Sequence, residues 1–421
     1  MSKLIINGGK RLAGEIEVKG AKNSALKIIP AALLSSESVK ITNLPDIEDV
    51  GKALGLLESL GATIKRNGNE AVIDTGSVNS SDLHSGPAGK FRASIMFAGP
   101  LLARFGEVKF PLPGGCVLAS GAKRPIDLFL EGFERFGAKV TAQDNYYHIK
   151  AGKLKGADYF FTTMTVTGTE SLMMTAVLAD GTTTLRNCAM EPEIPALASY
   201  LNSQGARIKG AGTPTITVEG VKSLTGGAFD VIPDRIETGS FAIMAAAARS
   251  EVLIKKCEPD HIRILLDIFD KIGVPYESFN DNLLIKPASK IRPYSIKTHE
   301  YPGFPTDLQS PFTLLMTQAQ GSSLIHETIY DRRLLYVDML MQMGADIIMC
   351  DPHRVVVNGP TKLYGRKLTS PDIRAGIAMI IAGLCAQGQT EIDNIYQIDR
   401  GYEDIDGRLR ALGADIERVE N

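Results

Sequence analysis

A sixfold internal repeat constrains this chain more than any other feature. The segment LESLGATI ends at Ile64, and related segments follow as FERFGAKV ending at Val140, LNSQGARI at Ile208, FDKIGVPY at Tyr276, LMQMGADI at Ile347 and LRALGADI at Ile416. Their glycines are Gly61, Gly137, Gly205, Gly273, Gly344 and Gly413, spaced roughly 70 residues apart. Each segment reads as an amphipathic helix that ends on a glycine cap and turns into a strand.

A second kind of helix precedes each of these. ALKIIPAALL starts at Ala25, ASIMFAGPLLARF at Ala93, SLMMTAVLAD at Ser171, GSFAIMAAAA at Gly239, FTLLMTQAQ at Phe312 and AGIAMIIAGLCA at Ala375. They are apolar almost all round, which requires burial on every side. Short strands such as TTTLRNC, EVLIKKC, SSLIHET and QTEIDNI follow them. The unit is therefore buried helix, strand, amphipathic helix, strand, strand. Helices inside and half-polar sheets outside make an inside-out α/β barrel, the inverse of a TIM barrel. Six units most naturally form two domains of three, one over residues 22–230 and the other over 1–21 plus 231–421. An extended solenoid of six units would expose the apolar helices.

With 421 residues there is ample chain for two or three cores. A net charge of −2 gives no footing for nucleic acid or a membrane surface, so any anion site must be local. The five cysteines, Cys116, Cys188, Cys257, Cys350 and Cys385, are odd in number, scattered and without C-x-x-C. They fit a reducing cytosol rather than disulfides or zinc. The six histidines show no metal-ligand spacing, and neither a P-loop nor a dinucleotide fingerprint occurs, so no metal and no cofactor is expected. The opening MSKLIINGGKRLAGEIEVKG alternates like a strand, unlike a signal peptide, and no apolar run is clean enough to span a membrane. A cytoplasmic location is expected.

Candidate site residues cluster at the starts of the buried helices. Lys22, Asn23 and Ser24 open the first, where Asn or Ser would cap and the helix N-terminus favours anions. Arg92 opens the second, and Arg374, with Asp372 two residues before it, opens the sixth. Arg333 in YDRRLLY and Arg400 in IDRGYED follow the strands of the fifth and sixth units. Converging arginines suit phosphate and carboxylate through bidentate contacts. Asp307, after a Pro-Gly-Phe-Pro turn, reads as a helix-start carboxylate or a general base. The loop PLPGGCVLASGAKRP, residues 111–125, carries Cys116 among glycines with Lys123 and Arg124 beyond it. Alone, such a thiol reads as a buried cysteine beside a surface turn. With nearby positive charge its pKa falls below about 8.5 and it becomes reactive.

GAKNSALK at Gly20, FRAS at Phe91, LPGGC at Leu112, RPIDL at Arg124, EPEI at Glu191, PDRIETG at Pro233, FPTD at Phe304 and DRGYE at Asp399 stand in this order along the chain. Through them the chain resembles, end to end, the enolpyruvyl transferase family, in its branch of UDP-N-acetylglucosamine 1-carboxyvinyltransferases that opens peptidoglycan synthesis. The related shikimate-pathway transferase lacks a PGGC-type loop. The resemblance implies two inside-out α/β domains with the active site in the cleft between them. It implies transfer of the enolpyruvyl group of phosphoenolpyruvate to the 3-hydroxyl of UDP-N-acetylglucosamine. It assigns phosphoenolpyruvate to Lys22, Arg124, Arg374 and Arg400. It assigns the nucleotide sugar to Asn23, Arg92, Arg124, Pro125, Ile126, Asp127, Leu128, Thr165, Val166, Asp307 and Ile329. Arg333 and Asp372 join the binding set. Cys116 becomes the acid that protonates the methylene carbon, adds covalently to phosphoenolpyruvate and is alkylated by fosfomycin, and Asp307 and Lys22 complete the catalytic set. The interval from Cys116 to Arg124 is longer than the family's usual spacing. The competing readings are enolpyruvyl transfer to another uridine nucleotide, and a catalytically silent nucleotide-sugar sensor that keeps the fold.

Overall fold

The structure is a computed structural model that describes residues 2–84, 92–111 and 126–420. All six repeat glycines have positive φ, from 82° at Gly273 to 104° at Gly61. Each ends its helix in a conformation that a side chain resists. Nothing lies within 4 Å of the place a Cβ would take at Gly205, so Gly205→Ala isolates the backbone cost. Urea unfolding is expected to show a loss of about 1–2 kcal/mol.

The buried helices are Lys22–Ala31, Ile95–Phe105, Val166–Ala176, Arg235–Ala247, Gln309–Met316 and Ile373–Cys385. Every residue of Arg235–Ala247 is buried. Several helices begin before the apolar runs, and their extra turns are polar yet buried: Lys22, Glu170, Arg235, Glu237, Gln309 and Arg374 are all in the interior. Buried charge needs partners, and those turns are where the candidate residues lie.

Among the described residues the strands form five four-stranded sheets and one of three strands. In the third repeat Thr182–Arg186 follows the buried helix and pairs in parallel with Asp158–Phe160, which precedes it. The hairpin Arg207–Lys209 and Thr215–Glu219 completes that sheet. The fifth and sixth repeats make the same strand–helix–strand crossover, with Ile296–Lys297 beside Gly321–His326 and Lys367–Thr369 beside Gln389–Asp393. The first and fourth repeats exchange strands. Ala13–Glu17 precedes the first buried helix but pairs with Glu251–Lys255, the strand after the fourth. Gly227–Asp230 precedes the fourth buried helix but pairs with Val39–Thr42, the strand after the first. The sixth sheet is completed by Lys3–Asn7, inserted between Gln389–Asp393 and Asp415–Val419.

Two compact units result, Met1–Lys19 with Pro233–Asn421, and Gly20–Ile232. Each has its own core of helix and sheet side chains. One gathers Phe241, Phe269, Phe312 and Tyr402, the other Phe97, Phe133, Phe136 and Tyr200. Where the chain leaves the first unit, the Lys19 backbone N–H donates to Glu237 at 2.8 Å, and Arg408 pairs with the same carboxylate at 2.6 Å. Among the described residues no helix is long and apolar enough to cross a membrane.

Candidate active site

In the unit containing residues 233–421, Asp307 lies between two arginines. It sits in the short turn Thr306–Leu308 that leads into Gln309–Met316. Arg333 Nη2 donates to its Oδ1 at 2.7 Å. Arg374 donates to its Oδ2 from Nε at 3.0 Å and from Nη2 at 2.8 Å. Burial alone would raise the Asp307 carboxyl, but Arg374 and Arg333 more than reverse that and hold it well below the usual carboxylate range. Arg374 and Arg333 are raised in turn, burial opposing and Asp307 favouring their charge. All three groups are charged at neutral pH.

Local structure explains why these side chains meet. Asp372 is the N-cap of Ile373–Cys385, its Oδ1 accepting from the backbone N–H of Arg374 at 2.7 Å and Ala375 at 2.9 Å. Arg374 is thereby fixed in the first turn, and Ser310 donates to its carbonyl at 2.8 Å. Arg400 caps the short helix Tyr396–Asp399 and donates to Gln397 at 3.0 Å. Its neighbour Asp399 is held by both Nη atoms of Arg418 at 2.9 Å. The Ile329 backbone N–H is fixed by Glu327 at 2.8 Å. Sequence reasoning missed Arg235, which is buried in the first turn of Arg235–Ala247 and adds its positive field at Asp307. Its signal was available: Asp234 caps that helix as Asp372 caps the sixth.

In the unit Gly20–Ile232, Lys22 is the first residue of its helix, and its Nζ is 2.8 Å from Asp49 Oδ2 with both side chains buried. Asp49 is in the first turn of Glu48–Ser59. The expected cap at Asn23 or Ser24 is not found. The N-cap is Ala21, which makes no side-chain cap bond, because the helix starts one residue before Asn23. Among the described residues the buried Ser24 Oγ has no hydrogen-bond partner. Thr165 caps Val166–Ala176, its Oγ1 accepting from the Gly168 N–H at 3.2 Å, and Thr165 and Val166 are both partly exposed. Ile126 caps Asp127–Arg135, whose second residue, Leu128, accepts at its carbonyl from the Tyr159 hydroxyl at 3.2 Å. Arg92 opens the short turn Arg92–Ser94 before the second buried helix. Cys116, Arg124 and Pro125 lie outside the described residues.

The same unit buries a second charged pair, Lys27 with Glu170 at 3.2 Å. Burial pushes the Glu170 carboxyl up to about 7 from its ordinary 4.5, against the pull of Lys27 and with help from Glu193. Between those values the folded chain holds a proton that the unfolded chain has released. Stability therefore falls as pH rises through the window, by on the order of 2–3 kcal/mol. Glu170→Gln is expected to flatten the urea midpoint against pH between about 5 and 8. The slope is the readout, since Gln also leaves Lys27 without its carboxylate. An unchanged slope would clear Glu170.

A family-wide comparison matches residues 6–409 to EPSP synthase (3-phosphoshikimate 1-carboxyvinyltransferase). The chain is 43% identical over 420 residues to the UDP-N-acetylglucosamine 1-carboxyvinyltransferase of Desulforapulum autotrophicum, with 100% of each chain covered. It is 44% identical to UDP-N-acetylglucosamine 1-carboxyvinyltransferase 2 of Listeria innocua, over 99% of this chain and 98% of that one. Among solved structures, the enolpyruvyl transferase NikO from Streptomyces tendae matches with a TM-score of 0.90 over 99% of both chains at 23% identity. EPSP synthase from Acinetobacter baumannii matches with a TM-score of 0.75 over 100% of both at 18% identity. The enolpyruvyl transferase fold that the resemblance implied, with the buried helices and outer sheets expected from the repeats, is the fold shared with both.

Proposed function

We propose that this chain, which belongs to the EPSP synthase family of carboxyvinyltransferases, transfers the enolpyruvyl group of phosphoenolpyruvate to the 3-hydroxyl of UDP-N-acetylglucosamine and releases phosphate. The observation that carries the reading is the 43% identity over whole chains to a relative bearing the name of that activity. The enol ether carbon is a poor electrophile until its methylene is protonated. Protonation by Cys116 gives an oxocarbenium-like centre, and the sugar oxygen bonds to it as Asp307 takes the hydroxyl proton. Loss of phosphate and of a methyl proton then restores the vinyl group. A weak base suffices, because attack on a cationic carbon makes the hydroxyl acidic, and Asp307 is held ionised by Arg333 and Arg374.

Lys22, Arg124, Arg374 and Arg400 neutralise phosphoenolpyruvate. Asn23, Arg92, Arg124, Pro125, Ile126, Asp127, Leu128, Thr165, Val166, Asp307 and Ile329 hold the nucleotide sugar. Arg333 holds Asp307, and Asp372 orients Arg374. The reaction belongs to cytoplasmic peptidoglycan precursor synthesis, on which wall growth, cell shape and division depend, and fosfomycin blocks it at Cys116. The test is phosphate release from phosphoenolpyruvate that depends on UDP-N-acetylglucosamine. Release that depends on shikimate 3-phosphate instead, or on neither acceptor, would overturn the reading.

A further inference from the structure

Glu327 is fully buried just after the strand Gly321–His326, and none of the roles above uses its side chain on substrate. Its Oε1 accepts from the backbone N–H groups of Ile329 at 2.8 Å and Tyr330 at 3.1 Å, and from the Thr298 hydroxyl at 3.1 Å. Its Oε2 accepts from the Thr306 hydroxyl at 2.8 Å. The Thr306 oxygen in turn accepts from Arg333 Nη1 at 2.9 Å, while Nη2 of that guanidinium reaches Asp307 at 2.7 Å.

We infer that Glu327 is a positioning residue which, through the Thr306 hydroxyl, holds the Arg333–Asp307 pair in register with the Ile329 segment. The inference rests on the transferase reading. A threonine hydroxyl has one proton. Once that proton is given to Glu327, the oxygen has only lone pairs left to offer, and an arginine has only donors. Glu327 thus sets the polarity of Thr306, and Thr306 sets the plane of Arg333. The plane of Arg333 fixes the face of Asp307 that meets a hydroxyl. The other carboxyl oxygen ties down the Ile329 amide, so one side chain spaces the proton acceptor against the proposed sugar contact. A clamp for a tight turn alone would affect stability and leave turnover untouched.

A double-mutant cycle on the full-length enzyme separates these roles. Glu327→Gln turns one acceptor into a donor, and Thr306→Val removes the hydroxyl at similar shape. Each is expected to lower kcat by about tenfold or more, since small misplacements near reacting groups are costly. KM for phosphoenolpyruvate is expected to stay within about twofold. The double variant is expected to be no slower than the slower single, and Thr306→Ser to recover most of the rate lost in Thr306→Val. Losses that multiply in the double variant, or a lowered Tm with parental kcat, would overturn the proposal. If Glu327→Gln does not fold, the Val and Ser pair at Thr306 decides alone: equal rates overturn it. A parent enzyme without acceptor-dependent phosphate release would defeat the transferase reading itself, which is distinct from an active parent with indifferent variants.

Discussion

Asp307→Asn is expected to lower single-turnover phosphate release by about a hundred- to ten-thousandfold while UDP-N-acetylglucosamine still binds within a few-fold. Asparagine can hydrogen-bond a hydroxyl but cannot take its proton. It also carries an NH2 where Asp307 offers an oxygen, so one of Arg333 and Arg374 faces a donor instead of an acceptor. A quarter of the Asp307 side chain is exposed, so the stability cost is a screened one of about 1–2 kcal/mol rather than that of a fully buried pair. The pH dependence follows from the lowered carboxyl. Its folded-state pKa lies below the unfolded value near 3.8, so its contribution is present above that value and is lost as pH falls through the folded one. The rate between about pH 5 and 8 therefore carries no acidic limb from Asp307. Near-parental single-turnover rates in the Asn variant would exclude Asp307 as the proton acceptor, and an acidic limb that the variant removes would overturn the lowered carboxyl instead.

Cys116→Ala is expected to slow turnover by a similar factor, because the methylene then lacks its acid. Cys116→Asp is expected to keep measurable activity, since a carboxylic acid can still deliver a proton. Cys116→Ser is expected to lose most of it, a hydroxyl being too weak an acid near neutral pH. Fosfomycin is expected to alkylate the parent thiol and leave the Asp variant untouched. UDP-N-acetylglucosamine is expected to speed the alkylation. Mass spectrometry of the treated enzyme with the sugar nucleotide present reads the result, and an unmodified Cys116 would remove it from the chemistry.

Repeat structure was legible because two periodicities alternate, one for helices buried all round and one for helices ending on glycine. Gly61 to Gly413 marked six helix ends correctly because positive φ leaves few other residues a place there. The first turns of the buried helices were not legible in the same way. Lys22, Arg235 and Arg374 are buried through partners or fields supplied by other elements, and a polar residue before an apolar run reads as a loop. The Lys22 partner, Asp49, stands on the neighbouring amphipathic helix, and nothing in its own surroundings in the chain sets it apart from a solvated acid. Arg333 and Arg374 were found from residue type, but their common carboxylate, Asp307, joins side chains 26 and 67 positions away. Glu327 left no trace, since a Glu after a strand is ordinary until its four donors are seen.

The placing of Lys3–Asn7 in the middle of the last sheet has a consequence for biosynthesis. Leu4 pairs with Ile392 on one side and Arg418 on the other. Lys3–Asn7 is therefore made about 400 positions ahead of the strands it pairs with, a wait of roughly 20–80 s at about 5–20 residues per second. The unit Gly20–Ile232 has all its residues long before then and can fold while translation continues. During that interval Leu4, Ile5 and Ile6 form a short apolar segment with both edges unsatisfied, the kind of strand that pairs with the wrong chain. Lys3 before it and Gly8, Gly9, Lys10 and Arg11 after Asn7 are the flanking charges and breakers that keep such a segment in solution. Lys3–Asn7 is thus built to remain unpaired until Gln389–Asp393 and Asp415–Val419 arrive.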